Sequence, residues 1–113
     1  ALRENESYIV EETFSHEIQG QGTFPATYLG KARVIKKNGD LKDVEKGQIL
    51  VLRMTTPDLT LEGIKKAGPI ITDEGGITCH AAVLSREFNI PALIGTGNAT
   101  RLLKEGDMVE FLP

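Results

Sequence analysis

The chain has 113 residues, 26% of them charged and 40% hydrophobic, with a formal net charge of -3. This length suits one domain rather than two. A domain this size buries only about two-thirds of its unfolded surface, which leaves room for one core and one surface site but not for a deep pocket enclosing two substrates. Acidic and basic residues are mixed along the chain and Trp is absent, a pattern that disfavours nucleic-acid binding, where basic residues cluster and aromatic rings stack. No apolar run approaches membrane-spanning length, and the N-terminal residues lack the basic-then-apolar order of a signal peptide. Cys79 is the one cysteine, so no intramolecular disulfide forms, and a cytoplasmic location is the expectation.

Residues 1–21 are polar and weakly patterned and read as a lead-in or linker to a domain spanning 22–113. Within the lead-in, Tyr8-Ile9-Val10 has the composition of a short strand, and Gln19-Gly20-Gln21-Gly22 that of a loop. From Gly30 to Lys36, small or apolar residues alternate with charged ones, as in a half-exposed strand. Asn38-Gly39-Asp40 predicts a turn, and Glu45-Lys46-Gly47 a second one. Gln48-Ile49-Leu50-Val51-Leu52 is a continuous apolar run, the pattern of a strand buried on both faces.

Thr56-Pro57-Asp58 predicts a helix start, with Thr56 as cap, Pro57 at the first helical position and Asp58 in the first turn. Leu59, Ile64 and Ala67 share part of one face, and Gly68-Pro69 ends the helix. Pro69 to Thr72 is a short buried strand. A second helix is expected from about Cys79 to Phe88, capped by Thr78, stopped by a left-handed Asn89 and barred from continuing by Pro91. Leu84 and Phe88 form its i, i+4 core pair. Ala92-Leu93-Ile94 is the next strand and Gly95-Thr96-Gly97 a loop. Asn98 caps a helical turn through Leu102 and Leu103 that ends at Gly106, and Met108 to Phe111 is the last strand. Short strands alternating with short helices predict a compact α/β domain, a mixed sheet with helices packed on it.

The chemistry concentrates at Thr72-Asp73-Glu74-Gly75-Gly76-Ile77-Thr78-Cys79-His80-Ala81-Ala82. With Thr78 as cap, His80 lies among the unpaired N–H groups of a helix start, where an attached anion gains roughly 0.3–1 kcal/mol from the dipole. Gly75 and Gly76 take away side chains that would crowd a phosphate. The Thr78 hydroxyl can bond either the backbone or a phosphoryl oxygen. The dipole also disfavours imidazolium, keeping the ring in its neutral, nucleophilic form. Spacing alone leaves an ordinary structural histidine open. Cys79 belongs to the same loop, but adjacent helical residues point about 100° apart, so its thiol reads as packed and inert rather than paired with His80. His16, Cys79 and His80 lack the spacing and the fourth ligand of a zinc site, so no metal site is expected. Asp73 and Glu74 read as solvated loop carboxylates.

The run from Ile71 to Thr100 carries Gly-Gly-x-Thr-x-His-Ala-Ala at 75–82 and Arg-Glu-x-x-Ile-Pro at 86–91. It resembles the phosphohistidine signature of the phosphoenolpyruvate-utilising enzymes, among them phosphoenolpyruvate synthase, pyruvate phosphate dikinase and rifampicin phosphotransferase. Gly47 to Asp58 is similar to the Gly-Asp-Ile-Leu-Val-x-x-x-Thr-x-Pro-Asp stretch of the same domain. The resemblance extends from Gly30 to about Phe111. Gly22 to Gly30 departs from the family's usual Gly-x-x-(Ala/Ser)-x-x-Gly entry.

The resemblance implies a swivelling domain whose histidine takes a phosphoryl group at one site and delivers it at another. His80 is then the phosphohistidine, Thr78 contacts the phosphoryl group, and Gly75, Gly76 and Cys79 form the loop around it. This domain binds no cofactor itself. ATP and magnesium are expected on an ATP-grasp nucleotide-binding domain, and phosphoenolpyruvate, pyruvate or another acceptor on a further domain, both in the same full-length chain. Two alternatives stay open: a docking or regulatory module that keeps the fold without turnover, and the carrier domain of an antibiotic kinase like rifampicin phosphotransferase.

Overall fold

The computed structural model describes residues 6–11, 16–23, 27–35, 44–54, 68–76 and 80–112, with only the backbone for 6–11, 16, 80, 81 and 112. Seven strands close into a barrel: β1 (Glu6–Glu11), β2 (His16–Gly22), β3 (Tyr28–Ile35), β4 (Ile49–Leu52), β5 (Ile70–Thr72), β6 (Ala92–Ile94) and β7 (Met108–Leu112). Around the barrel the order is β1-β2-β6-β5-β4-β3-β7. Strands β3, β4, β5 and β6 run parallel to their neighbours within that set, and the remaining pairings are antiparallel. Among the described residues two helices pack on the barrel, α1 (His80–Phe88) and the short α2 (Ala99–Leu102). The expected mixed α/β architecture is what forms.

The apolar run at 49–52 is continuous because β4 is buried on both faces. Ile49 and Val51 point to one cluster with Ile18, Val34, Ile71, Leu93, Val109 and Phe111, drawn from every strand whose side chains are described; this is the barrel interior. Ala99 and Leu103 from α2 and the residue after it pack into the same cluster. Leu50 and Leu52 point the other way. With Ile70, Ala92 and Ile94 they form an outer layer that Ala82 and Leu84 of α1 cover. Phe88 packs against that layer with Ile90, so the Leu84/Phe88 pair is helix core as expected. Each fully buried Leu or Ile contributes roughly 1.5–3 kcal/mol, enough for the two-sided burial of β4 and β6 to fix where α1 sits.

Helix α1 stops where the sequence predicts. Asn89 adopts φ 56°, and the Ser85 carbonyl accepts the Ile90 N–H at 2.9 Å. Its C-terminal half is tied to the barrel by hydroxyl groups. Fully buried Ser85 donates to the Ile90 carbonyl and lies 2.6 Å from the Thr23 hydroxyl, which in turn accepts the Ala92 N–H at 3.2 Å.

Two expectations change. Gln19 to Gly22 is not a loop but the second half of β2, paired with β1 as far as Gln21 and with β6 through Gln21↔Ile94 and Gly22↔Leu93. Residues 6–11 and 16–22, expected within a lead-in ending at 21, are thereby two staves of the barrel. Glycine and glutamine disguise the strand: β1 pairs with it locally, but the end of β6 that Gly20 accommodates lies about seventy residues downstream. Asn98 does occupy the cap position of α2, but its side chain makes no capping bond. Thr96 Oγ1 accepts the Ala99 N–H at 3.2 Å instead. The turn expected at 38–40 and the helix expected at 56–67 lie outside the described residues, as do Thr78 and Cys79.

Candidate functional site

Because β4, β5 and β6 are parallel, their C-terminal ends gather at one edge of the barrel, and the segments leaving them lie side by side. Backbone bonds continue the sheet past the strands. The Asp73 N–H donates to the Leu52 carbonyl at 3.1 Å and the Glu74 N–H to the Arg53 carbonyl at 2.9 Å. On the other side the Thr96 N–H donates to the Thr72 carbonyl at 3.0 Å and the Gly97 N–H to the Asp73 carbonyl at 2.8 Å. The loop that leads from β5 toward His80 is therefore held between the segments after β4 and β6.

Side chains reinforce it. Buried Thr72 donates its hydroxyl to the Glu74 carbonyl at 2.8 Å, closing the turn from within. Thr96 Oγ1 donates to the Thr72 carbonyl at 3.0 Å. The Asp73 carboxylate accepts the Thr100 N–H at 2.9 Å and the Thr100 hydroxyl as well, so an anion from this loop satisfies the first turn of α2. Glu74 pairs with Arg53 at 2.5 Å, both side chains more than half exposed. The reading of Asp73 as a solvated loop carboxylate is thus corrected: it is a structural acceptor, while Glu74 sits in a surface ion pair.

Gly75 takes φ 110° and Gly95 φ 72°, a region that only glycine enters cheaply. They need it because they meet backbone to backbone: a Cβ on Gly95 would lie 2.9 Å from the Gly75 carbonyl oxygen. Gly76 is different. A Cβ there meets nothing within 4 Å, so its surroundings are open.

His80 is the first residue of α1. Along α1, Val83 and Glu87 are exposed while Ala82, Leu84 and Ser85 are buried. Of the residues singled out in the sequence, the structure describes Gly75 and Gly76 in the loop after β5 and the backbone of His80 at the head of α1. Gln19, Gly20, Gln21, Ile94 and Gly95 were not singled out, yet with Gly75 and Gly76 they line an open cavity of about 530 Å³ beside the loop. The small residues of 20–22 were the available signal, and they read as a loop rather than as a strand making room. Among the described residues no three His, Cys, Asp or Glu side chains are grouped as metal ligands, and no helix is long and apolar enough to cross a membrane.

Comparison with known proteins places this geometry. Residues 44–111 match the mobile domain of PEP-utilising enzymes. The chain is 48% identical over 94 residues to a probable phosphoenolpyruvate synthase of Methanothermobacter thermautotrophicus, covering 83% of this chain and 14% of that protein. It is 50% identical over 80 residues to the phosphoenolpyruvate synthase of Neisseria meningitidis, covering 71% of this chain and 10% of that one. The solution structure of an Enzyme I protein (nEIt) superposes with a TM-score of 0.53 at 37% identity, over 61% of this chain and 29% of that one. The chain spans about one-seventh or less of these synthases' length, so in the relatives further chain accompanies this domain. With its signature loop set between parallel strand ends and a helix that begins at His80, the chain belongs to the mobile-domain family of PEP-utilising enzymes.

Proposed function

We propose that this chain is a phosphoryl carrier, with His80 the residue that takes up and gives away the phosphoryl group. The observation that supports it most directly is the loop Asp73–Gly76, fixed at the C-terminal edge of three parallel strands and leading into a helix whose first residue is His80. A neutral ring nitrogen of His80 attacks phosphorus with its lone pair, the bond from phosphorus to the donor oxygen breaks, and that oxygen leaves with the electron pair. Delivery is the reverse, with the acceptor oxygen attacking and the ring nitrogen leaving. Unpaired N–H groups at the start of α1 favour the added negative charge. Thr78 and Cys79 stand beside His80 in sequence, and Thr78 is the residue we assign to contact the phosphoryl group.

A 113-residue domain built around a closed barrel supplies one face of such a reaction. Donor and acceptor sites belong to other domains of a longer chain, an ATP-grasp domain with ATP and magnesium on one side and a domain for phosphoenolpyruvate or pyruvate on the other. The names of the relatives support phosphoenolpyruvate as the compound formed at the acceptor site. The carrier moves between the two sites as a body. Incubating the full-length chain with ATP and magnesium should give a phosphoryl mass gain on this segment that is lost in acid and kept in base. Absence of label on the wild type, or equal labelling after His80→Ala, rules the assignment out.

A further inference from the structure

The cavity beside the glycine loop is walled on one side by β2. Along that strand Ile18 is buried in the barrel interior, while Gln19 and Gln21 are exposed on the outer side. Gly20 lets β2 come close to the end of β6: a Cβ there would lie 2.7 Å from the Ile94 carbonyl oxygen. The pairing Gln21↔Ile94 then sets the two glutamines next to Gly75, Gly76 and Gly95. Helix α1 packs over the outer side of β6 through Ala82 and Leu84, so the cavity and α1 share one side of the barrel. Gly76 precedes His80 by four residues, a reach of roughly 14 Å at most.

Among the described residues no charged side chain lines this cavity; it offers amide side chains and the backbone of four glycines. Each glutamine nitrogen carries two N–H donors. Gln19 Nε2 makes one bond to the Glu17 carboxylate at 3.3 Å, and the second N–H extends its capacity. Amides suit a group that must be kept and then surrendered. They donate hydrogen bonds to an anion without titrating, so they do not act as the general acid that would release the phosphoryl group from the ring. A lysine or arginine would bind the dianion more tightly and oppose delivery.

We propose that Gln19 and Gln21, with the glycine backbone of this cavity, bind the oxygens of the phosphoryl group carried by His80 and protect it from water between transfers. This rests on the carrier reading of His80. The reaction held back is hydrolysis: a water oxygen attacks phosphorus, the bond to the ring nitrogen breaks, the electron pair stays on the nitrogen and the water proton passes to it. Both glutamines are exposed, so changing them leaves the barrel core intact.

The test phosphorylates the full-length chain with phosphoramidate, a chemical donor that needs no nucleotide site, and follows the decay of the histidine-bound label and its phosphorus-31 resonance. In the double variant Gln19→Ala, Gln21→Ala the lifetime should fall about tenfold, the loss expected for one hydrogen bond to a charged group, and the resonance should move. Gln21→Glu, nearly the same shape but bearing a like charge, should shorten it at least as much, and Gln21→Asn should restore part of it. A lifetime and resonance unchanged in both the double variant and Gln21→Glu overturn the proposal while leaving the carrier role standing. Failure of wild-type His80 to take the label overturns both.

Discussion

Gly95 offers a direct measure of how firmly the glycine loop is fixed. At φ 72° an added Cβ carries the left-handed penalty of about 1–2 kcal/mol. It would also sit 2.9 Å from the Gly75 carbonyl oxygen, a backbone atom that moves only if the loop moves, and overpacking of this kind adds about 1–3 kcal/mol. Gly95→Ala should therefore cost about 2–5 kcal/mol in all. Gly97 supplies the control: it has φ 82° but open space around its missing Cβ, so Gly97→Ala should cost the conformational part alone, about 1–2 kcal/mol. Urea denaturation of the two variants at unchanged slope reads the difference, with the Gly95→Ala midpoint falling by about 1–3 M. Equal midpoints for the two variants would refute the reasoning, because they would mean that the Gly75 carbonyl gives way freely and the contact fixes nothing.

Two further variants probe the ties on either side of the site. Asp73→Ala removes the acceptor for both the N–H and the hydroxyl of Thr100; a loss of about 1.5–3 kcal/mol is expected by urea denaturation, with faster amide exchange at Thr100. Retained exchange protection at Thr100 would show that its own helix, not Asp73, holds it. Ser85→Ala leaves the Thr23 hydroxyl and the Ile90 carbonyl short of a buried partner and should cost about 1–3 kcal/mol; an unchanged melting midpoint would mean the hydroxyl chain adds nothing to the seating of α1.

What the sequence made legible follows from which interactions are local. Ile49–Leu52 and Ala92–Ile94 announced themselves because strands covered on both faces leave no polar positions to blur the run. The stop of α1 was legible because Asn89 and Pro91 act on their own backbone. Strand β2 was not, because its Gly20 is explained only by the Ile94 carbonyl pressed against it. Asp73 was misjudged for the same reason: its partner Thr100 is 27 residues away. Composition shows a carboxylate in a loop, and only topology shows that two parallel strands end side by side and bring that carboxylate to the start of α2.

The same distinction bears on how a carrier domain can work. A carrier histidine, the role proposed for His80, must be open to two different active sites, yet it must arrive with fixed geometry. The chain meets both demands by dividing the labour. Rigidity comes from non-local ties behind the loop, Thr72 to Glu74 and Thr96, Asp73 to Thr100, and Gly75 against Gly95. Access comes from open space in front of it, where Gly76 has no neighbour to meet a side chain. Loosening the ties and filling the space should therefore fail differently. Gly95→Ala lowers stability as it displaces the loop. Gly76→Ala, by contrast, should leave the urea midpoint nearly unchanged and still slow phosphoryl uptake by His80, since it crowds the approach without disturbing the scaffold. If Gly76→Ala labels at the wild-type rate, the open space in front of the loop is incidental and the site's selectivity must lie with the donor domain.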